Sequence, residues 1–540
     1  MTFRIVGIFF GLILAVCSKT PDSSWLTPKL SAFSFVTVAV AAPAKTETGS
    51  ADGGIAWEKG DIDAAFAAAK SANKPVFLYW GAVWCPPCNQ VKATIFNRQD
   101  FVDRSRFFVP VYLDGDTRSA QRLGARFKVS GYPTMILFKP DGTEITRLPG
   151  EVDADQYMRV LALGMSGARP VKETLAAALA PGGSDLTPEE WRLLAYYSWD
   201  TDEQQVVPKD KVAPTLQRLA QACPSAQRET AARLEIRALA AGATASGTKS
   251  RGDKAAVDKV MRLLADPKFA RGNLDVVVYY ASTISKAYTL PKSAERAKLD
   301  AAWNVALDGL LGDRSLSTAD RLSAVDAKIA LAKIDDPKVA LAPALLESVR
   351  AQAARADRET TDVYARQAVI SSAAEILADA GLLDESDAML KTELQRSQSP
   401  YYYMLGLAAN AKTRGDKAGA LGWYEKAYAA ADGPATRLQW GASYVGALVD
   451  LSPQDVTRID LATKSVIDEL EPAPDTFYGR NQRSLERMSR KLSAWDKAQK
   501  QNASLKRMRA QMAGVCGKIP VGDPARANCD GVFRPAAAKA

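Results

Sequence analysis

Trp84-Cys85-Pro86-Pro87-Cys88 is the most informative stretch of this 540-residue chain. It follows the apolar run Val76-Phe77-Leu78-Tyr79-Trp80 and opens a segment with helical character that extends to about position 96. A Cys-x-x-Cys pair at a strand-to-helix turn predicts thiol redox chemistry. Because a helix N-terminus stabilises negative charge, the pattern predicts a lowered pKa for Cys85. Cys88, one turn on, can resolve a mixed disulfide at Cys85, so the pair needs no bound cofactor.

Half of a structural zinc site is the alternative interpretation of the cysteine pair. Such sites need four ligands, usually from two cysteine pairs or from one pair and histidines. The chain has no histidine and no second Cys-x-x-Cys pair, so we expect redox chemistry and no metal at this pair. A rival hypothesis is a site for a soft ion such as Cu(I), because thiolates favour soft ions.

A second motif lies downstream, where Gly131-Tyr132-Pro133-Thr134 leads into the apolar run at 135–138 and then into a Pro-Asp-Gly turn. With the Trp-Cys-x-x-Cys stretch, this order resembles the thioredoxin superfamily over residues 55–167. It is similar to the periplasmic thioredoxin-like domains of the disulfide reductase or isomerase type. The resemblance implies that Cys85 is the nucleophile and Cys88 the resolving thiol. It also implies that Pro133 follows a cis peptide bond and lies against the disulfide.

The residues around the thiols are expected to dock substrate. Trp84 is predicted to be a surface contact beside the thiols rather than a core residue. Tyr132 precedes the cis-proline, Pro133, where the resemblance places the substrate, although a packed surface tyrosine is an equal alternative. Pro86 suits a helix start because no helical N–H bond is lost there, and it forms the active-site loop with Pro87.

Position 79 departs from the pattern of the family. Many members bury an acidic residue six positions before the first cysteine, where it accepts the proton of the resolving thiol. Here that position is Tyr79. Either another group or water then moves the proton, or turnover is slower.

Length and composition indicate a globular chain of two or more domains. Its residues are 47% hydrophobic and 24% charged. The net charge of +9 comes from Lys and Arg scattered among Asp and Glu, so it does not indicate a nucleic-acid partner. The absence of histidine excludes imidazole ligands, histidine bases and a histidine-based pH switch.

The first 42 residues are expected to be an export signal. Arg4 precedes an apolar run at 5–16, and a second run at 30–40 ends in small residues typical of signal cleavage. We predict cleavage after Ala41 or Ala42. An upstream extension, a lipoprotein signal at Cys17 and an uncleaved anchor are the alternatives for the first run. The chain is therefore expected to be periplasmic or secreted.

Export fits the use of cysteine, since disulfides persist outside the cytosol. Cys516 and Cys529 flank a segment rich in proline and glycine, and we expect them to form a structural disulfide that closes a C-terminal loop. Two reduced thiols are the alternative. Cys223 is then left unpaired, and we expect it to be buried.

The C-terminal two thirds of the chain are rich in alanine and leucine, with helical periodicity and almost no strand pattern. Thr187-Pro188-Glu189-Glu190 is a helix start with the pattern of a capping box. Residues 404–427 resemble a tetratricopeptide repeat, which predicts an α-solenoid, whereas a generic helical bundle is the alternative. Residues 480–509 are strongly basic, and we interpret their charges as the solvated face of an amphipathic helix rather than a nucleic-acid site.

The predicted fold is an α/β thioredoxin fold followed by a large all-α domain of solenoid, tetratricopeptide-like character. The predicted function is that of an exported thiol–disulfide oxidoreductase, a protein disulfide reductase or isomerase. Its partners are expected to be protein disulfides, a membrane or periplasmic electron donor, and a protein or second copy bound by the helical domain. The alternative is a helical scaffold or chaperone in which the thioredoxin domain only senses redox state or tethers partners. The expected organisation is an export signal at 1–42, a flexible lead at 43–54, the thioredoxin-like domain at 55–167, a linker at 168–186, a helical repeat-like domain at 187–513 and a C-terminal loop at 514–540.

Overall fold

The computed structural model describes residues 54–534, apart from positions 60, 118, 130, 151, 182–184, 203, 471–472 and 501. The predicted export signal and nearly all of the flexible lead lie outside the described residues. Within them, an α/β sheet domain comes first and an all-helical region follows, so the predicted order of fold classes is confirmed. No helix among the described residues is long and apolar enough to cross a membrane.

Five strands of the described chain form one sheet in the order β1-β3-β2-β4-β5. β2 is parallel to β3 and antiparallel to β4. Every residue of β2 and β4 is buried, which explains why both strands are continuous apolar runs rather than alternating ones. The strands are β1 (Glu58–Lys59), β2 (Val76–Gly81), β3 (Val109–Asp114), β4 (Thr134–Phe138) and β5 (Glu144–Leu148).

Helices cover this sheet and begin at residues that suit helix starts. Asp61 caps α1 by accepting hydrogen bonds from the N–H groups of Asp63 and Ala64, and Asp153 caps α5 in the same way. One π-helical turn, Lys92–Phe96, continues α2. The helices are α1 (Ile62–Ala72), α2 (Pro86–Val91), α3 (Gln99–Ser105), α4 (Ala120–Arg126) and α5 (Ala154–Met165).

The segment predicted as a linker at 168–186 contains a helix, α6 (Val171–Ala178), so that prediction is wrong in part. Val171, Leu175 and Ala178 are buried, because their spacing places them on one helix face that packs on α7 (Pro188–Ala195). α7 begins with the predicted capping box, in which Thr187 and Glu190 each accept a hydrogen bond from the other's backbone N–H.

The helical region wraps back towards the sheet domain. The stretch that resembles a tetratricopeptide repeat forms α19 (Pro400–Thr413) and α20 (Lys417–Ala430), which pack on each other. The helices of the helical region after α6 are α7 (Pro188–Ala195), α8 (Val212–Ala222), α9 (Arg228–Ser246), α10 (Lys254–Leu264), α11 (Pro267–Gly272), α12 (Leu274–Tyr279), α13 (Ala281–Tyr288), α14 (Ala294–Gly312), α15 (Thr318–Ala332), α16 (Pro343–Glu359), α17 (Val363–Asp379), α18 (Leu383–Glu393), α19 (Pro400–Thr413), α20 (Lys417–Ala430), α21 (Pro434–Leu451), α22 (Val456–Asp468), α23 (Gly479–Gln499), α24 (Asn502–Cys516) and α25 (Pro524–Gly531).

A disulfide between Cys516 and Cys529 joins the last two helices, with their Cα atoms 5.6 Å apart. The predicted C-terminal loop is wrong in part, because α25 occupies Pro524–Gly531 within it. Asp523 caps this helix through the N–H of Ala525, a start signal that the neighbouring glycine and prolines obscure in the sequence.

Candidate active site

The end of β2 and the start of α2 position the two thiols. Cys85 is the N-cap residue of α2, and its Sγ accepts a hydrogen bond from the N–H of Cys88 at 3.3 Å. Pro86 and Pro87 fill the first turn, where no helical N–H bond is lost. Asn89 Nδ2 donates to the carbonyl oxygens of Val83 and Cys85 at 2.8 and 2.9 Å. The loop is therefore fixed with the Cys85 thiol at the N-terminus of a helix.

The bond between Tyr132 and Pro133 is a cis peptide bond at the start of β4. β4 pairs with β2, so Pro133 lies at the same end of the sheet as the cysteine loop. The Tyr132 hydroxyl donates to the carbonyl oxygen of Gly115 and accepts from Gln121 Nε2, both at 3.2 Å. Tyr132 also packs edge-on against Trp84, with ring centroids 6.0 Å apart. The structure thus brings the predicted docking residues together beside the thiols.

Trp84 is not a surface residue, so that prediction is wrong. Only 7% of its surface is exposed, because the helical region covers it. Its Nε1 donates to Thr436 Oγ1 at 2.9 Å. The Trp440 ring packs edge-on at 4.8 Å, and the Tyr402 ring stacks at 5.9 Å. The predicted docking face of the sheet domain is therefore occupied by residues of α19 and α21.

Further contacts close the same face. The Trp84 carbonyl oxygen accepts from Gln367 Nε2 on α17 at 3.1 Å, and the Arg480 guanidinium on α23 lies 4.8 Å from the Tyr132 ring centroid. Asp116 Oδ1 accepts the Thr436 N–H at 2.6 Å. With these contacts in place, Cys85 is 3% exposed and Cys88 is 0% exposed. We call this set of contacts the cover; its helical residues are Gln367, Tyr402, Thr436, Trp440 and Arg480.

The electrostatics of the pair follow from its burial. Burial raises the pKa of Cys85 well above its usual range, which is opposite to the lowered value that its helix N-terminal position predicts. Burial also opposes ionisation of Cys88, but the neighbouring Cys85 thiol, the Ala82 backbone and the charge of Lys92 lower the pKa of Cys88. Cys88, the more deeply buried of the two cysteines, is therefore the more acidic thiol of the covered pair.

No group of three or more Cys, Asp or Glu side chains suited to a metal ion occurs within the described part of the chain. Cys223, the remaining free cysteine of the described residues, is buried, and burial raises its pKa to about 11. It lies on the C-terminal end of α8 and belongs to neither the dithiol nor the disulfide at the C-terminus.

Sequence reasoning missed the helical residues of the cover, because they lie about 280 or more positions along the chain from Trp84. Local periodicity carries no information about such distant contacts. Among the cover residues, only Arg480 carries a signal in the sequence that could have indicated a contact. It begins the basic stretch that we interpret as the solvated face of a helix.

The Asp116 carboxylate makes the cover sensitive to pH. Burial raises the pKa of Asp116 to about 6, and the charges of Asp114 and Asp432 add to this effect. On release to solvent the pKa would return to about 4, so the protonated carboxyl favours the covered state. The cover is therefore most stable below about pH 4 and weakens as the pH rises through 6.

We expect the Thr436 amide to exchange with deuterium roughly tenfold more slowly at pH 5 than at pH 7, after correction for the intrinsic exchange rate. The Asp116→Asn variant keeps an oxygen acceptor but cannot ionise, so its corrected exchange rate should be the same at both pH values. An equal pH dependence in the variant would show that another group is responsible.

Comparison with known proteins places this geometry in a family. A family model described as a thioredoxin-like domain matches residues 62–164. The thioredoxin of Mycobacterium tuberculosis H37Rv is 34% identical over 100 residues, which cover 18% of this chain and 82% of that protein. The thioredoxin of Mycolicibacterium smegmatis is 29% identical over 90 residues, 17% of this chain and 78% of that protein.

A longer relative matches the same domain. The thiol:disulfide interchange protein DsbD of Pseudomonas fluorescens is 29% identical over 103 residues, 18% of this chain and 18% of that protein. The chain thus spans less than a fifth of the length of this relative. The cysteine pair and these similarities define the sheet domain as one of the thiol–disulfide oxidoreductase class. The chain therefore belongs to the thioredoxin family.

Proposed function

We propose that the chain is an exported thiol–disulfide oxidoreductase that reduces or isomerises disulfides in other proteins. The observation that carries the proposal is the hydrogen bond from the Cys88 N–H to Cys85 Sγ at the start of α2. It marks Cys85 as the thiol whose anion the helix N-terminus stabilises once the cover is displaced. Localisation in the periplasm or outside the cell is supported by the predicted signal.

The proposed reaction has two exchanges. The Cys85 thiolate attacks a substrate disulfide, forms a mixed disulfide and releases one substrate thiolate. Cys88 then attacks Cys85 Sγ, the Cys85–Cys88 disulfide forms, and the second substrate thiolate leaves. The substrate gains two electrons and the dithiol loses two. A membrane or periplasmic dithiol donor must return them, so the direction of the reaction is set by that donor.

We also propose that the helical region controls which proteins reach the dithiol. A substrate cannot contact Cys85 while Thr436 and Trp440 pack on Trp84. A client would have to displace the cover, and a client that also binds the helical region would gain the free energy to do so. In this role the helical region is a partner-binding domain that selects substrates.

A redox-controlled scaffold is the second candidate function, and the burial of both thiols favours it. Here the helical region is the functional part, and the state of the dithiol changes how firmly it is covered. Replacement of Cys85 would then leave the cellular function intact, whereas deletion of the helical region would abolish it.

A redox titration of the full chain tests the oxidoreductase proposal. We expect Cys85 and Cys88 to convert reversibly between dithiol and disulfide across a series of glutathione buffers, as followed by mass mapping of the alkylated peptides. The Cys516–Cys529 disulfide should stay oxidised over the same range and provides an internal reference. A pair that stays reduced in every buffer, or that bonds to Cys223, would contradict the proposal.

A further inference from the structure

A row of arginine side chains follows one face of α23, starting at the cover. Its members lie at intervals of three, four and three residues, which are the spacings of neighbours on a helix face: Arg480, Arg483, Arg487 and Arg490. From first to last they extend about 15 Å along the helix axis. Arg487 and Arg490 are exposed, and the two earlier residues are half-buried. We call this row the arginine ridge.

The first residue of the ridge contacts the predicted docking residues. The Arg480 guanidinium lies 5.7 Å from the Trp84 ring centroid and 4.8 Å from the Tyr132 ring centroid. The Arg480 N–H donates to Gln121 Oε1 at 2.9 Å, and Gln121 Nε2 donates to the Tyr132 hydroxyl at 3.2 Å. The start of α23 is therefore fixed beside the docking residues, and the ridge leads from them to an exposed part of the helix.

Acidic side chains do not balance the charges of the ridge. Arg490 pairs with Glu486 at 3.9 Å, whereas neither Arg480 nor Arg487 forms an ion pair within the described residues. Their side chains donate instead to neutral oxygens of a glutamine and a serine. Like charges three or four residues apart destabilise a helix, so a face that served only solvation would gain stability by alternating its charges. The ridge thus presents guanidinium groups that an anionic partner can pair with.

We propose that the arginine ridge is the docking surface for an acidic segment of a client protein, and that this segment brings the client's disulfide to Cys85. Guanidinium groups bind carboxylates through two parallel hydrogen bonds, so a row of Asp and Glu side chains is the complementary partner. An extended segment of four or five residues spans the ridge at about 3.3 Å per residue. This inference rests on the proposed function, because it names the class of substrate that the dithiol receives.

Binding at the ridge also acts on the cover. A client carboxylate that reaches Arg480 competes with the Trp84 and Tyr132 rings for the guanidinium. Such a client weakens one contact of the cover at the place where its own disulfide is held. The remaining arginines of the ridge keep the client at a high effective concentration while the cover opens.

Two triple variants test the ridge at equal net charge. The ridge variant keeps Arg480, which belongs to the cover, and carries Arg483→Gln, Arg487→Gln and Arg490→Gln. The control variant changes three exposed basic residues of α24 and of the turn after it, and carries Lys506→Gln, Arg509→Gln and Lys518→Gln. Each variant loses three positive charges, so a difference between them reports the position of the charges and not the net charge.

The first readout is binding, which needs no thiol chemistry. A fluorescent peptide rich in Glu and Asp and without cysteine is titrated with the full chain at low ionic strength, where exposed charges are least screened, and its anisotropy is followed. We expect the ridge variant to bind this peptide roughly tenfold more weakly than the control variant. Equal affinities would overturn the proposal. An oligonucleotide of the same charge that binds the ridge more tightly than the peptide would assign the ridge to nucleic acid and would also overturn it.

The second readout is the reduction of two model peptides that carry the same disulfide, flanked either by glutamates or by glutamines. We expect the unmodified chain and the control variant to reduce the acidic peptide roughly tenfold faster than the neutral one, and the ridge variant to show no such preference. If every chain reduces both peptides at one rate, only the ridge is overturned. If the unmodified chain reduces neither peptide, the proposed function fails, and the binding result alone then decides the ridge.

Discussion

Alkylation of Cys85 is expected to become at least tenfold faster when Gly433 is replaced by alanine. Gly433 lies immediately before α21 with φ +83°, and a Cβ atom there would lie 1.6 Å from Asp116 Oδ2. The new methyl group would meet the carboxylate that holds Thr436, so it acts as a wedge between the sheet domain and the cover. A loss of about 1.4 kcal/mol from the covered state is enough for a tenfold change in the exposed fraction.

Gly415→Ala is the matched control for this wedge. Gly415 has nearly the same backbone angle, φ +81°, but a Cβ atom there would meet no described atom within 4 Å. Both variants place alanine at a positive φ, which disfavours a Cβ atom, and only one of them pushes against Asp116. The rate is measured by labelling the full chain with iodoacetamide and quantifying the Cys85 peptide by mass spectrometry. Equal labelling rates in the two variants would contradict the role of the cover.

Protein disulfide reduction should fall by roughly a thousandfold or more in Cys85→Ser, because a serine hydroxyl does not ionise near neutral pH and cannot form the mixed disulfide. The assay follows reduction of a model protein disulfide by the full chain with a dithiol as the electron source. Any activity left in this variant would have to come from another thiol.

Cys223→Ser is the control for that loss. Cys223 is a buried thiol outside the site, and because burial raises its pKa to about 11, little thiolate forms at neutral pH. We expect full activity in this variant. A similar loss in both cysteine variants would mean that the assay reports the stability of the chain rather than its chemistry.

Features encoded by short stretches of sequence were predictable. The buried strands β2 and β4 are continuous apolar runs, and α7 begins at a capping box that three or four residues define. The Cys85 and Cys88 pair is likewise a local pattern at a strand-to-helix turn. In each case the residues that determine the structure are neighbours in the chain, so their periodicity and spacing suffice.

Features that depend on distant residues were not predictable. The sequence predicts Trp84 at the surface and a lowered pKa for Cys85, because both predictions consider only the sheet domain and not the helical region that packs on it. Thr436 and Arg480 contact Trp84, which is buried contrary to the first expectation, and burial of Cys85 itself raises the pKa of its thiol. The helix α6 was missed for another reason, since its short apolar face stands between a proline and a glycine-rich segment that both favour a linker.

Mixed-disulfide trapping with the Cys88→Ser chain tests most directly whether Cys85 exchanges disulfides with other proteins. Without the resolving thiol, Cys85 should stay covalently linked to its clients. We predict discrete adducts on a non-reducing gel that disappear with reductant and are absent from the Cys85→Ser/Cys88→Ser chain. No adducts under export conditions, or adducts of equal abundance in the double variant, would contradict an oxidoreductase that acts through Cys85.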